Sequence, residues 1–286
     1  MLQKRFIVVT PCKNEEKNLS NLIHSMIEQT IKPALWVILD DGSTDDTPDI
    51  IKEAETKYSW IKSIRWDTSM RDIGSHLSIV MASAFDFAVK YCIKNGIEYD
   101  YIGNVDGDII LEHAFFEKLI NEFEKDPKLG IAGSGTQYIK GDSIIQPEGR
   151  SDEPSGGDML IRRECFEECS TVISSSPIWD SALKAKARLR GWKTMRFEHV
   201  KAVETRDTVT VDGYWKGYLH HGKGSYQMNI NPVHALIKSI KYLFKKPYYI
   251  GIAYMVGYLS DLLQRKDKIE DEEIRKYFRN KWRKYL

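Results

Sequence analysis

Tyr101-Ile102-Gly103-Asn104-Val105-Asp106-Gly107-Asp108 is a short apolar run that stops on two carboxylates separated by one glycine. The run reads as a buried strand and the Asp-Gly-Asp as its exit. In an open α/β sheet, ligands sit at the carboxyl ends of the strands. Gly107 has no Cβ, so the backbone can turn sharply and a ligand can come close. Two acids in one place repel unless a cation lies between them. Mg²⁺ or Mn²⁺ suits that position, because hard cations take oxygen ligands and bridge phosphates. The stretch points to a metal-bound diphosphate, against the plainer reading of a solvated Asp-Gly turn.

Working outward, two more apolar runs end in polar loops. Phe6-Ile7-Val8-Val9-Thr10 reads as a buried strand that Pro11 stops. Cys12-Lys13-Asn14-Glu15-Glu16 then turns into a helix whose Leu19, Leu22, Ile23, Met26 and Ile27 share one face. Trp36-Val37-Ile38-Leu39 is a second strand, closing in Asp40-Asp41-Gly42-Ser43, and Ser43 to Pro48 has the hydroxyls, acids and proline of a helix start. Ile61 to Trp66 is a third strand, followed by a polar loop with Arg71, Asp72 and Gly74 and a helix through Ile79 to Ala88. After Asp108 come a helix lined by Phe115, Phe116, Leu119, Ile120 and Phe123, stopped at Asp126-Pro127, and a strand from Leu129 to Gly133. The order β-α-β-α-β-α-β-α-β predicts an α/β fold with a mostly parallel sheet flanked by helices.

From Gly141 to Gly157 the pattern gives way to Gly, Pro, Ser and charge, a long loop of the functional or mobile kind. Gly156-Gly157-Asp158 re-enters structure, Pro177-Ile178-Trp179-Asp180 opens a helix that Gly191 ends, and Val200 to Thr205 is a short strand. Past Arg206 the chain is helical, aromatic and basic. The boundaries expected are a domain over 1–209 and a C-terminal helical appendage over 210–286.

Composition bounds the rest. The 286 residues, 42% hydrophobic and 29% charged, are those of an ordinary globular chain, and a net charge of +1 gives no argument for nucleic acid. Charge is uneven: Pro232 to Leu286 holds 13 Lys and Arg against 6 Asp and Glu, a net of +7, leaving −6 for residues 1–231. Four cysteines lack zinc-like pairing, and Cys165 and Cys169, one helical turn apart, suit local packing. Without a signal-like segment, a reduced cytoplasmic compartment is the expectation. No apolar run is expected to reach transmembrane length, the longest being Tyr248 to Leu259.

Three motifs in order, Val8-Val9-Thr10-Pro11-Cys12-Lys13-Asn14-Glu15, Asp40-Asp41-Gly42-Ser43-Thr44-Asp45 and Asp106-Gly107-Asp108, resemble the family 2 glycosyltransferases of the GT-A (Rossmann-like) fold, over roughly the first two-thirds of the chain. The resemblance implies an inverting enzyme of hexosyltransferase type. It would move a sugar from a nucleotide-sugar donor of UDP or GDP type to an acceptor hydroxyl, with Mg²⁺ or Mn²⁺. Thr10, Pro11, Asn14 and Glu15 would border the nucleotide, at a turn with free backbone N–H groups. Asp41 would accept from the base ring. Asp106 would meet the ribose and the metal shell, and Asp108 would ligate the metal. Arg71, Gly157, Asp158 and Trp179 would line the donor and acceptor cleft.

The chain departs from that pattern in places. The family's downstream metal-ligating His falls on Glu204, which can still ligate Mg²⁺ or Mn²⁺, with His199, His220 and His221 as competitors. The family's Glu-Asp after the long loop is Trp-Asp here, so the general base rests on Asp180, whose competing role is a plain helix-start acid. Residues 71–85 lack the Gly-rich, Asn-containing signature of relatives. Two alternatives stand beside the transferase: a sugar-phosphate nucleotidyltransferase, which Thr10-Pro11-Cys12-Lys13-Asn14 argues against, and a non-catalytic nucleotide-sugar-binding relative. The C-terminal third resembles tails of enzymes that build cell-surface glycans. Its basic, aromatic helices suit a lipid-linked acceptor and peripheral contact with the cytoplasmic face of the cell membrane, or equally a dimer interface.

Overall fold

The computed structural model describes residues 4–67, 75–140, 143–146, 149–176, 178–205 and 213–281. The chain forms two compact units. The first comprises Met1–Arg71, Ile79–Thr171 and Ala187–Arg206, and the second Asp72–Ser78, Val172–Lys186 and Asp207–Leu286. The break after Arg206 lies close to the boundary expected at 209, but the second unit also takes in Val172–Lys186, and with it Trp179 and Asp180.

In chain order the elements are β1 (Phe6–Cys12), α1 (Leu19–Ile27), β2 (Leu35–Asp40), α2 (Thr47–Lys57), β3 (Ile61–Arg65), α3 (Ser75–Asn95), β4 (Tyr101–Val105), β5 (Ile109–Leu111), α4 (Phe115–Lys125) and β6 (Leu129–Ser134). They continue with β7 (Gln137–Lys140), β8 (Ser143–Ile145), β9 (Asp158–Arg162), α5 (Arg163–Cys169), α6 (Trp179–Leu189), β10 (Lys193–Phe197) and β11 (Ala202–Glu204). The alternation expected through β6 is present. Seven strands form one sheet in the order β10-β6-β9-β4-β1-β2-β3. All its pairings are parallel except the two made by β9. β1 and β2 are apolar along nearly their whole length because helices cover both sheet faces. Phe6, Trp36, Tyr101, Phe115, Phe116 and Phe123 fill the core on one side.

Four differences from the sequence reading have physical causes. Pro11 does not stop β1, which runs on to Cys12. Pairing with β4 ends at Val9, so the strand is already paired on one side only, where a missing N–H is tolerated. The stretch expected as one long loop contains β8, folded back antiparallel on β7. That pair belongs to a second sheet, β5-β11-β7-β8, whose strands are too short to show a period. Finally, α3 is long and apolar enough, by length and composition alone, to cross a bilayer. Its Val80, Met81, Ala84, Phe85 and Ala88 are buried, with Phe85 against Phe166, as in a core helix. Cys165 and Cys169 are buried thiols on α5, as their spacing suggested.

The second unit adds α7 (Tyr214–Gln227), α8 (Pro232–Leu243), α9 (Ile250–Leu263) and α10 (Glu272–Asn280) around Tyr226, Ala235, Tyr254 and Tyr258. α7 and α9 cross at glycines. A Cβ on Gly222 would collide with the Tyr254 carbonyl, and one on Gly257 with the Leu219 carbonyl. Alanine improves helix propensity by up to ~1 kcal/mol over glycine. Overpacking costs about 1–3 kcal/mol, and a backbone carbonyl cannot yield by changing rotamer. Gly257→Ala is therefore expected to destabilise the second unit, with a melting temperature several degrees lower by calorimetry. An unchanged or raised melting point would contradict the close crossing.

Candidate active site

The site is built by adjacency. β4, β1 and β2 are neighbours and parallel, so their carboxyl ends leave the same edge of the sheet side by side. Those ends carry Asp106-Gly107-Asp108, Asn14-Glu15 and Asp40-Asp41 in turn. The strand tips that the sequence placed together are together.

The first two loops are zipped to each other. Asn14 takes a left-handed conformation, φ +54°, which asparagine adopts more readily than most residues. Its Oδ1 accepts from the Thr44 N–H at 2.8 Å, and its own N–H donates to Ser43 Oγ at 2.9 Å. The Glu15 N–H donates to Thr47 Oγ1 at 2.8 Å, and the Glu16 N–H to Asp45 Oδ2 at 3.2 Å. This corrects one expectation. The Asn14, Glu15 and Glu16 N–H groups are not free for a phosphate, because the hydroxyls and acid of the next loop hold them. Thr10 is corrected likewise. Its side chain is fully buried and its hydroxyl accepts from the Trp36 indole at 2.9 Å, so it faces inward. Pro11 lies within β1 and is half-buried.

Of the two acids at the end of β2, Asp40 builds the turn. It accepts from the Ser43 N–H at 2.9 Å and pairs with Arg65 at 2.5 Å, and Arg65 also reaches the Ser43 carbonyl. Gly42, at φ +65°, supplies the positive-φ turn position. Asp41 is anchored through its N–H on the Cys12 carbonyl at 2.9 Å. Arg65 was not singled out by sequence, having no motif around it.

The Asp-Gly-Asp exit is fixed from both sides. The Asp106 N–H donates to the Gly157 carbonyl at 2.8 Å. The Asp108 carbonyl accepts the Thr205 N–H at 2.8 Å and the Thr205 hydroxyl at 2.9 Å. A side chain on Gly107 would press on Glu15, whose Cγ would be 3.1 Å from its Cβ. Antiparallel pairing of β11 with β5 sets Glu204 opposite Ile109, the residue after Asp108. The small sheet therefore brings Glu204 next to the strand that follows the motif.

Asp158 is fully buried at the start of β9, opposite Val105. Ser134 and Thr136 both donate to its Oδ2, Thr136 at 3.1 Å, while its buried Oδ1 has no hydrogen-bond partner among the described residues. Burial pushes its carboxyl up to about 7, with Glu204 adding to the rise. Gly157 makes room for Asp106. A Cβ there would lie 2.9 Å from Asp106 Oδ2. Gly157→Ala is therefore expected to displace that carboxylate and lower kcat/KM roughly tenfold, through a sub-ångström misplacement. Wild-type kinetics in this variant would show that the Asp106 position does not matter.

The edge is electronegative. Burial drives the Cys12 thiol well above its usual range, and Asp40, Glu15, Asp45 and Asp41 add to the rise. Among the described residues, no three His, Cys, Asp or Glu side chains are grouped to hold a metal ion. The donors still fit a hard cation of the Mg²⁺ type. They are oxygens only, they carry excess negative charge, and such ions are commonly held by one or two carboxylates plus substrate phosphates.

Two expected site residues belong to the second unit. Trp179 is buried, which suits packing rather than stacking on a sugar. Asp180, in the first turn of α6, pairs with Lys184 at 2.8 Å. Of the three histidines weighed as competitors of Glu204, His199 lies in the first unit, 3.5 Å from Glu122, and His220 and His221 lie on α7 in the second. Arg71 lies outside the described residues.

An acid-tipped, mostly parallel sheet of this order is a GT-A-type α/β fold. The same fold is found in S. aureus TarS (residues 1–349) in complex with UDP-GlcNAc, at TM-score 0.56 and 13% identity, covering 90% of this chain and 79% of that one. It is found also in the mannosyltransferase PcManGT from Pyrobaculum calidifontis in complex with GDP-Man and Mn²⁺, at TM-score 0.56 and 15% identity, covering 90% and 70%. The glycosyl transferase family 2 model matches residues 7–178, and the chain belongs to that family. Membership of that family argues against the nucleotidyltransferase alternative. In sequence it is similar to poly-beta-1,6-N-acetyl-D-glucosamine synthase of Staphylococcus epidermidis, 21% identical over 248 residues that cover 80% of this chain. The chain spans 57% of that relative's length.

Proposed function

We propose that the chain transfers a sugar, with inversion, from a UDP- or GDP-type donor to an acceptor hydroxyl of a cell-surface glycan or lipid-linked oligosaccharide. The observation that carries this is the placement of three acidic loops on adjacent parallel strand ends. The donor class is supported by the UDP-GlcNAc and GDP-Man bound to proteins of the same fold, and the acceptor class by the polysaccharide synthase among its relatives.

Asp41 accepts from the ring N–H of the base. Asn14 and Glu15 shape the loop beside it. Asp106, held in place by Gly157, would meet the ribose and hold the metal with Asp108 and the donor phosphates, and Glu204 would have to move in to serve as a third oxygen donor. Bound there, Mg²⁺ or Mn²⁺ would neutralise the leaving diphosphate as a Lewis acid. Asp158, buried and fed by two hydroxyls, stiffens the wall of the cleft behind Gly157. Asp180 takes the proton of the attacking hydroxyl.

The test is nucleotide release from a panel of UDP-, GDP- and dTDP-sugars, with and without Mn²⁺, over several glycan acceptors. Acceptor-dependent release of free nucleoside diphosphate that needs the ion is the expected result. Donor binding without release over all acceptors would support the non-catalytic alternative.

A further inference from the structure

The outer helices of the second unit are inside out for a protein in water. An amphipathic helix on a water-soluble unit turns its apolar stripe inward. On α8 the buried residues are Ala235 and Ser239, and the Ser239 hydroxyl donates to the Gly251 carbonyl at 2.8 Å. The exposed ones are Val233, Leu236, Ile237, Ile240 and Leu243, spaced three and four apart. On α9 the tyrosines Tyr254 and Tyr258 are buried, while Ile252, Val256, Leu259 and Leu263 face out at the same spacing. The connection between the helices adds Phe244, 81% exposed, with Tyr248 and Tyr249 exposed beside Lys245 and Lys246.

Charge selects what covers this face. From Gly213 to Ser260 the chain has six lysines and no Asp or Glu; Lys241, Lys245 and Lys246 are exposed on α8 and the connection, whereas Lys238 holds its ammonium over the Tyr254 ring and Lys216 and Lys223 lie on α7. The first acid after them, Asp261, is buried and accepts from Gln227 at 2.8 Å. A second copy of the chain would set the same patch against itself. The two facing patches would bring lysines together with no acid on α8, the connection or the outer face of α9 to answer them. Anionic lipid headgroups answer them directly. At 12 and 14 residues, α8 and α9 are shorter than the roughly 20 residues a spanning helix needs. They suit the plane of the interface, with aromatic rings at headgroup depth and lysine stems reaching outward.

We infer that the outer face of α8, α9 and their connection docks in-plane on an anionic lipid bilayer. The inference uses the second unit alone, so it stands or falls separately from the catalytic reading.

The test is flotation of the full chain with vesicles of phosphatidylcholine plus phosphatidylglycerol, and with phosphatidylcholine alone. Binding is expected to the anionic vesicles and to weaken with salt. Lys245→Ala with Lys246→Ala should lower the partition coefficient about 25-fold, at roughly fivefold for each lysine near the surface. Ile240→Asp with Ile252→Asp should abolish flotation while the melting temperature holds, since both side chains are exposed. If that pair misfolds, the lysine pair decides alone. The inference is overturned if the wild-type chain does not float, or if the lysine pair floats as well as wild type. It is overturned too by a dimer in sedimentation velocity that anionic vesicles leave intact and that Ile240→Asp with Ile252→Asp dissociates.

Discussion

Asp108→Asn is expected to lower kcat/KM about 10³-fold and to abolish the dependence of donor binding on Mn²⁺. A metal at a leaving diphosphate supplies several kcal/mol of charge stabilisation, and each 1.36 kcal/mol is tenfold in rate. The substitution keeps the shape of the side chain and removes only its charge. Two contacts that hold this stretch in place use the backbone, through Thr205 on the Asp108 carbonyl and Gly157 on the Asp106 N–H, and both survive the change. The melting temperature should therefore stay near wild type, which separates loss of the ion from loss of the fold. A variant with unaltered kcat/KM and metal response would remove Asp108 from the site.

Asp180→Asn is expected to spare donor binding and to cut turnover by about 10² to 10⁴-fold, the range for losing a general base. The competing role is visible in the structure. Asp180 sits where a helix favours an acid and pairs with Lys184, whose side chain is 6% exposed. Removing the charge leaves that buried ammonium without this partner, so some loss of stability is expected under either role. Kinetics separate the two. A base gives a fall in kcat with donor affinity unchanged, and loss of the basic limb of the pH–rate profile. A helix-start acid gives a lower melting point and normal turnover per folded molecule.

What the sequence made legible was whatever a single strand or helix carries by itself. Each long buried strand announced itself as an apolar run, and the runs of β1, β2 and β4 led into the acids proposed for the site. Their order then predicted the parallel sheet that brings Asp41 and Asp106 to one edge. What stayed hidden depends on residues far apart in the chain. Asp158 is held by Ser134 and Thr136, more than twenty positions away, and nothing around those hydroxyls marks them. Glu204 stands opposite Ile109, next to Asp108 in sequence, only because β11 pairs with β5, and strands of three residues have no period to read. The N–H groups of Asn14 and Glu15 looked available because Ser43 and Thr47, which occupy them, belong to the next loop. The outward stripe of α8 is a different failure. Spacing shows that a helix has an apolar face but not which way the face points.

Crystals soaked with a UDP- or GDP-sugar and Mn²⁺, with anomalous data collected for the ion, test the site most directly. One Mn²⁺ peak is expected within bonding distance of Asp108, bridging to the donor diphosphate, with Asp106 on the ribose side and the base ring at Asp41. A donor bound away from the ends of β4, β1 and β2, or an ion bound apart from Asp108, would contradict it.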